Sequence, residues 1–302
     1  MQYIASLLIF ALLLMSPACE RDITLELPTT ERQIVVEGYI EQGSYPYVFL
    51  TLSAPYLEVV NSTTLQNMVI TNAQVIVSDG KQSDTLKVGF DSSQFPFIKY
   101  QGQRIRGEAG KTYYLTVNYQ NKTVTAVTTI PQPVAIDSLT FKAEAPYDSL
   151  GYVWFHFSDP DTIGNYYRTF TKTLGKDSNY VHPFATLLDD KLVNGTAIQY
   201  PIYHGRDSRL IETEEDEDED ENNNQDTNNL SFYFKTGEIV VMKLCGIDYA
   251  HYRFWMSIEQ QMMSGSNPFS APTTIKSNIK GGLGIWGGYS ITTDTIKIGS
   301  KK

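Results

Sequence analysis

The residue patterns that could carry out chemistry are few in this chain of 302 residues. Gly282 to Gly287 has the G-x-G-x-x-G spacing of dinucleotide-binding loops, but such a loop needs a strand before it, a helix after it and an acidic residue about twenty positions on. The residues that follow are too few for that unit, so we expect no nucleotide site. Four scattered histidines lack metal-ligand spacing: His156, His182, His204 and His251. We therefore expect a protein that is not an enzyme and holds no cofactor and no metal.

An acidic block provides the densest group of possible cation ligands. Asp216, Asp218 and Asp220 have the spacing of the first ligands of a calcium loop, but Glu221 and Thr227 replace the glycine and the final glutamate that such a loop requires. Eight consecutive acidic residues also repel one another and bury no apolar surface. We predict a disordered acidic insertion at about 212–229, between two strands.

The charge of the chain is concentrated in this block. It carries nine of the negative charges that make the net charge −10, so the remainder is nearly neutral. A nearly neutral remainder offers no basic face to nucleic acid. Hydrophobic residues make up 41 % and aromatic residues 12 %, which is enough for a packed core. Twenty tyrosines favour strands over helices.

A single cysteine near the start indicates where the protein works. The apolar run from Leu7 to Met15 has the length of a signal-peptide core and is too short to span a bilayer. Cys19 follows the small residues Ser16 and Ala18, an order that resembles the bacterial lipobox, in which the thiol receives a diacylglycerol. The absence of Lys and Arg before the run, and Ser16 in place of leucine, depart from that pattern. An ordinary signal peptide with an incidental cysteine is the alternative.

The predicted organisation follows from that cysteine. Residues 1–18 are a lipoprotein signal peptide, Cys19 is the lipid attachment site, and 19–30 form a tether to the membrane. Glu20 and Asp22 resemble the acidic signals that send Bacteroidota lipoproteins to the outer face of the outer membrane. We expect a lipid-anchored protein of the outer membrane that faces the cell surface.

A short motif of Asp, then Ser or Thr, then an aliphatic residue occurs five times. It resembles the O-glycosylation sequence of Bacteroidota envelope proteins, and strand entry is the alternative explanation. The candidate acceptors are Thr85, Ser138, Ser149, Thr162 and Thr295.

Short alternating segments separated by turn residues fill the first half of the chain. Six candidate strands lie at Ile34–Ile40, Val48–Leu52, Ala73–Ser78, Thr85–Val88, Tyr113–Tyr119 and Thr123–Thr129. This density of short strands predicts an immunoglobulin-like or transthyretin-like β-sandwich over 31–130. Pro131 and Pro133 cannot continue a strand ladder, and we place a domain boundary there.

The second half predicts another β-rich domain, at 134–300, with one helix. Its candidate strands are Ile136–Phe141, Tyr152–Phe157, Tyr166–Thr171, Ala197–Tyr203, Leu230–Phe234, Glu238–Leu244, Tyr289–Thr293 and Thr295–Ile298. The helix is predicted at Tyr249–Met263, with Asp248 as its N-cap and Gly265 as its stop. The overall fold class is therefore mainly β.

Five glycines between positions 281 and 288 imply positive φ angles or very close chain approach. A structural lock that closes the second domain is the first interpretation of this glycine-rich segment. A ligand platform is the second, with Asn278, Trp286 and Tyr289 as the ligand-binding residues.

Several of these segments together resemble a known family. The lipobox, the strands Val35–Ile40 and Asn72–Val77, the Ile130-Pro131 turn and the stretch Asn267–Ser290 resemble a Bacteroidota outer-membrane lipoprotein family catalogued as domain of unknown function 4249. The resemblance covers essentially the whole mature chain but not the acidic insertion. It implies an outer-membrane lipoprotein, often encoded beside a TonB-dependent transporter, with no catalytic residues established.

The leading functional hypothesis is a non-enzymatic surface lipoprotein that assists a TonB-dependent transporter, by capturing a ligand or covering the transporter. The alternative is an envelope assembly or adhesion protein that binds other proteins through its β-domains. A concave aromatic pocket in the second domain would favour ligand capture, whereas flat sheet edges would favour a protein partner. A hydrolase is the least expected class.

Overall fold

The structure is a computed structural model that describes residues 31–54, 61–91, 96–183, 185–205, 232–265 and 273–299. The predicted signal peptide, Cys19, the tether and the acidic insertion at 212–229 lie outside the described residues.

The described residues form sixteen strands and two helices. The strands are β1 (Ile34–Glu41), β2 (Tyr47–Leu52), β3 (Gln74–Ser78), β4 (Ser83–Thr85), β5 (Lys87–Phe90), β6 (Ile98–Gln101), β7 (Thr112–Tyr119), β8 (Lys122–Thr129), β9 (Ser138–Ala143), β10 (Leu150–Ser158), β11 (Tyr166–Thr173), β12 (Leu187–Asp189), β13 (Ala197–Ile202), β14 (Phe234–Lys235), β15 (Ile239–Ile247) and β16 (Leu283–Lys297). The helices are α1 (Ser62–Met68) and α2 (Tyr249–Gly265). The predicted mainly β class is confirmed.

One eight-stranded sheet runs through the molecule in the order β12-β11-β15-β16-β1-β2-β6-β5. Its centre is β16, which pairs antiparallel with β15 and parallel with β1. Val35 lies opposite Leu283, and Glu41 lies opposite Tyr289. A strand from the end of the chain therefore joins a strand from its beginning.

The first sandwich encloses a core between half of this sheet and a second sheet of order β4-β3-β7-β8. Side chains that alternate along the strands fill it: Val36 and Ile40 from β1, and Leu115 and Val117 from β7, are buried. Trp286 of β16 completes the same core. The core of the predicted 31–130 domain therefore includes a residue from far outside that range.

A second core lies between β11, β15 and the sheet in which β10 pairs with β9, β13 and β14. Phe155 and Phe157 of β10 and Met242 and Leu244 of β15 are buried in it. Most residues of the first core come before the proline boundary predicted at 131–133, and the residues of the second core come after it. The eight-stranded sheet joins strands from both sides of that boundary, and the division into two domains stays a prediction.

A third apolar cluster lies on the other face of the eight-stranded sheet, where α2 packs on β11, β12 and β16. Helix α2 is amphipathic and begins after Asp248, whose Oδ1 accepts a hydrogen bond from His251 N at 2.9 Å. This geometry confirms the predicted N-cap and helix.

Several features differ from the sequence-based expectations. The predicted strand Thr85–Val88 is divided between β4 and β5, which lie in different sheets. The glycine-rich segment and the two predicted terminal strands form one strand of fifteen residues, β16. Strands β6 and β12 and helix α1 were not predicted. Helix α1 does carry a local signal, since Asn61 Oδ1 accepts from Thr64 N at 2.9 Å.

Candidate functional site

Trp286, predicted as a possible ligand contact, is fully buried in the first core. Its indole Nε1 donates to the carbonyl of Tyr113 at 3.1 Å. Gly38 on β1 leaves room for the ring, because a Cβ there would lie 3.0 Å from Trp286 Cε3. This placement favours the structural interpretation of Trp286.

Asn278 holds the strand that carries Trp286. Its Oδ1 accepts from Trp286 N at 2.9 Å, and its Nδ2 donates to Trp286 O at 2.7 Å. One half-buried side chain thus satisfies both backbone groups of a buried residue, as a neighbouring strand would do. Asn278 and Trp286 therefore form one structural unit.

Tyr289 points to the opposite face of β16, because side chains three positions apart on a strand lie on opposite faces. Its hydroxyl accepts from Nη1 of Arg168 at 2.9 Å. The structure thus separates Tyr289 from the Asn278–Trp286 pair instead of bringing the three predicted residues into one site.

The candidate glycosylation residues are spread over the molecule. Thr85, Ser149, Thr162 and Thr295 are exposed, and Ser138 is half-buried. These positions stay predictions.

Charged and aromatic side chains meet around Tyr289, on the sheet face that α2 covers. We call this group the cationic cluster: Arg168, Lys243, Tyr289, Tyr39, Glu41, Phe170, Tyr180, His251 and Trp255. Strand alternation explains how it assembles, since Arg168 and Phe170 of β11 face away from the second core while Tyr167 faces into it.

Arg168 is the central residue of the cationic cluster and is only 3 % exposed. Its Cζ lies 3.6 Å from the centroid of the Trp255 ring and 4.9 Å from that of Phe170. Such contacts attract a cation to the ring face. Nε has no hydrogen-bond partner, and no described carboxylate lies within ion-pair distance of the guanidinium.

Lys243 lies beside Arg168 and, unlike Arg168, contacts a carboxylate of the described residues. Its Nζ contacts Glu41 Oε1 at 2.9 Å, and its side chain is 8 % exposed. Three rings surround the ammonium, with centroids at 5.4 Å for Phe170, 5.0 Å for Tyr180 and 6.0 Å for Tyr289. Lys243 therefore has a carboxylate in direct contact, whereas Arg168 has none among the described residues.

The side chains of His251 and Tyr289 in the cationic cluster are neutral at physiological pH. Burial lowers the pKa of His251 to about 3, and the Arg168 charge acts in the same direction. Burial raises the pKa of Tyr289 to about 12, which the Arg168 charge opposes. Burial likewise raises the pKa of the neighbouring Cys245 thiol to about 12. A neutral thiol is a poor nucleophile.

A second candidate is a surface hollow of about 290 Å³ beside the turn at Asp79 and Gly80. Its charged groups have local partners: Asp79 Oδ1 accepts from the backbone N of Lys81 and Gln82, and Lys111 pairs with Glu108. No buried donor is left open in its lining, so the cationic cluster is the stronger site.

The sequence analysis did not identify Arg168, Lys243 or Glu41. A signal was present, because Arg168 interrupts an aromatic strand pattern and Lys243 interrupts an apolar one. A charge inside a buried strand is rare without a partner. Which charged groups lie near Arg168 and Lys243 depends on how β11, β15, β16 and β1 pair, and the sequence pattern does not show that pairing.

Comparison with protein families gives a match over most of the chain. A family model described as Domain of unknown function (DUF4249) matches residues 20–295. None of the curated proteins that were compared with the chain matches it. Within the described residues, neither helix is long and apolar enough to cross a membrane, and no three His, Cys, Asp or Glu side chains cluster as metal ligands would.

Proposed function

The chain belongs to the DUF4249 family, and from that premise we propose that it is a non-enzymatic lipoprotein of the outer membrane that captures a ligand for a TonB-dependent transporter. The lipid on Cys19 would hold the protein at the cell surface. This address rests on the apolar run, the lipobox-like order of residues and the acidic residues that follow Cys19.

The observation that carries ligand capture is the buried guanidinium of Arg168, whose Nε has no hydrogen-bond partner and which forms no ion pair with a described carboxylate. Transferring an unpaired charge from water to a protein interior costs several kcal/mol or more. A fold that keeps such a charge against the rings of Trp255 and Phe170, with open donors, is prepared to receive a partner. The neighbouring Cys245 thiol is neutral at physiological pH, so it is a poor nucleophile towards a bound ligand.

Isolation of the native protein from detergent-solubilised outer membrane tests the transporter partner. We expect a TonB-dependent barrel to co-purify, and mass spectrometry to find a lipidated Cys19 at the mature N-terminus. A Cys19→Ala variant is the control and should leave the membrane fraction. Repeated recovery without a barrel would overturn the transporter role, and an unmodified Cys19 would overturn the address.

The alternative, a protein that binds other envelope proteins through sheet edges, is favoured by one observation. Strand β5 is the edge of the eight-stranded sheet, and its four residues are exposed. Val88 is 51 % and Phe90 75 % exposed, and the ring of Phe97 lies 6.1 Å from that of Phe90. An open edge with apolar side chains suits the addition of a partner's strand.

Charges placed on β5 separate the two functions. Phe90→Lys should block strand addition and leave the cationic cluster untouched. Loss of protein partners in the β5 variant, with ligand binding retained, would favour the assembly role. Partners that are retained would exclude this edge.

A further inference from the structure

The described acidic side chains near Arg168 form no ion pair with its guanidinium. Lys243 has Glu41, and Tyr39 donates to Glu37 at 3.3 Å, so the described acids of β1 are engaged. Glu259 of α2 responds to Arg168 but forms no ion pair with it. Burial raises the pKa of Glu259, and the Arg168 charge only partly offsets this rise. Arg168 therefore has no carboxylate in direct contact among the described residues.

The hydrogen bonds of Arg168 show where a negative group fits. A guanidinium has five N–H donors, and Nη1 makes the one hydrogen bond found among the described residues, to Tyr289. Nε is buried without a partner, as is Nε1 of Trp255, the ring stacked on the guanidinium. The Nε edge of arginine matches the two oxygens of a carboxylate in a bidentate pair.

The walls around this edge are apolar and aromatic. The rings of Trp255 and Phe170 flank the guanidinium and are half-buried, whereas Arg168 itself is buried. The guanidinium thus lies just below rings that reach the surface, and rotation of such a side chain is a common change on binding. A ligand that reaches Arg168 would lay its body against these rings.

We propose that the cationic cluster binds a small organic carboxylate with an apolar or aromatic body, held by the Nε edge of Arg168 and stacked against Trp255 and Phe170. This inference rests on the proposed capture function and names its ligand class. The carboxylate supplies the hydrogen-bond acceptor that no described residue offers to Nε of Arg168, and the rings favour an organic anion over an inorganic one.

Calorimetric titration of the full-length protein in detergent with benzoate tests this proposal. Benzamide has the same shape without the charge and is the matched ligand. Chloride and inorganic phosphate are the matched inorganic anions. We expect benzoate to bind with a Kd on the order of 1 mM or tighter, and benzamide roughly tenfold or more weakly.

Three arginine variants locate the binding. Arg168→Met keeps most of the side-chain volume and should abolish benzoate binding. Arg168→Lys keeps the charge but loses the planar fork, so it should weaken binding and remains informative if Arg168→Met does not fold. Arg106→Met is the control, because Arg106 also stacks on a ring, that of Tyr45 at 4.1 Å, but lies on the exposed surface.

Each other result overturns the proposal. No benzoate binding at concentrations up to about 10 mM, equal binding of benzamide, or unchanged affinity in both Arg168 variants would remove the carboxylate site. Arg168-dependent binding of phosphate or chloride without benzoate would replace the organic ligand by an inorganic one. The test is independent of the transporter. Benzoate binding without a co-purified barrel would leave this site standing, and a barrel without benzoate binding would leave the transporter role.

Discussion

Gly287 shows how closely one residue is constrained at the cationic cluster. A Cβ at this position would lie 2.4 Å from Cε1 and 2.6 Å from Nδ1 of the buried His251 ring. Gly287→Ala should therefore lower the free energy of unfolding by about 1–3 kcal/mol, because the ring has no free space to move into. Urea denaturation of the purified protein measures this.

Gly89 is the matched control for that substitution. It also lies on a strand of the eight-stranded sheet, but a Cβ there would meet nothing within 4 Å. Gly89→Ala should change the free energy of unfolding by less than about 0.5 kcal/mol. If both variants are equally stable, His251 does not pack against β16 as the structure shows.

His251 also makes stability depend on pH. Its pKa falls from the ordinary 6.5 to about 3 on folding, so below pH 6.5 the unfolded state binds a proton that the folded state does not. Its contribution to stability is complete above pH 6.5 and decreases as the pH falls towards 3. The slope approaches about 1.4 kcal/mol per pH unit.

Replacement of His251 tests this slope. The free energy of unfolding of His251→Gln, measured in urea at pH 7, 5.5 and 4, should depend less steeply on pH than that of the wild type. His156→Gln, on the outer face of β10, is the control and should keep the wild-type slope. An identical slope in His251→Gln would mean that His251 titrates alike in both states.

At the scale of the element, Asp248 connects α2 to the first sandwich. One oxygen caps the helix through His251 N, and the other accepts from Thr128 Oγ1 at 2.6 Å and Thr129 N at 3.0 Å, both in β8. Asp248→Ala should cost about 2–3 kcal/mol of unfolding free energy, because three hydrogen bonds to a charged group are lost together.

Asn61 provides the comparison for that loss. It caps α1 in the same way, through Thr64, but the Asn61 side chain forms no hydrogen bond to another element among the described residues. Asn61→Ala should cost about 1 kcal/mol, the usual value for a helix cap. Equal losses in the two variants, measured by urea denaturation, would show that the contact between Asp248 and β8 contributes nothing.

Strand β16 explains why the glycine-rich segment is itself a structural element. Gly281 and Gly284 adopt positive φ angles of 82° and 106°, and Gly288 lies against Ile130 and Thr129, where a Cβ would be about 3 Å from their atoms. The predicted close approach and positive φ angles are confirmed. The predicted locking role also fits, but β16 joins β1 and β15 rather than closing one domain alone.

At the scale of the whole molecule, the acidic insertion should contribute little to folding. Deleting Glu214–Glu221, which lies outside the described residues, removes eight consecutive like charges, a composition that predicts mutual repulsion and no burial of apolar surface. The melting temperature should change by no more than about 2–4 °C. A variant with serines in place of the eight acids keeps the loop length and separates the effects of charge and length. A large drop on deletion alone would show that the segment packs on the fold.

The sequence by itself determined what depends on near neighbours in the chain. Alternation placed most of the strands to within a few residues, and Asp248 and Gly265 marked the ends of α2, because side-chain direction and helix capping are local properties. Only the tertiary structure decided that β16 lies beside β1, that Trp286 enters the first core and that Arg168 forms no ion pair with any acid in the described part of the chain. A strand's periodicity sets which side chains share a face, but its partner is chosen by packing and hydrogen bonding across the whole chain. The set of charged groups near Arg168 therefore depends on the pairing of four strands that lie far apart in the sequence.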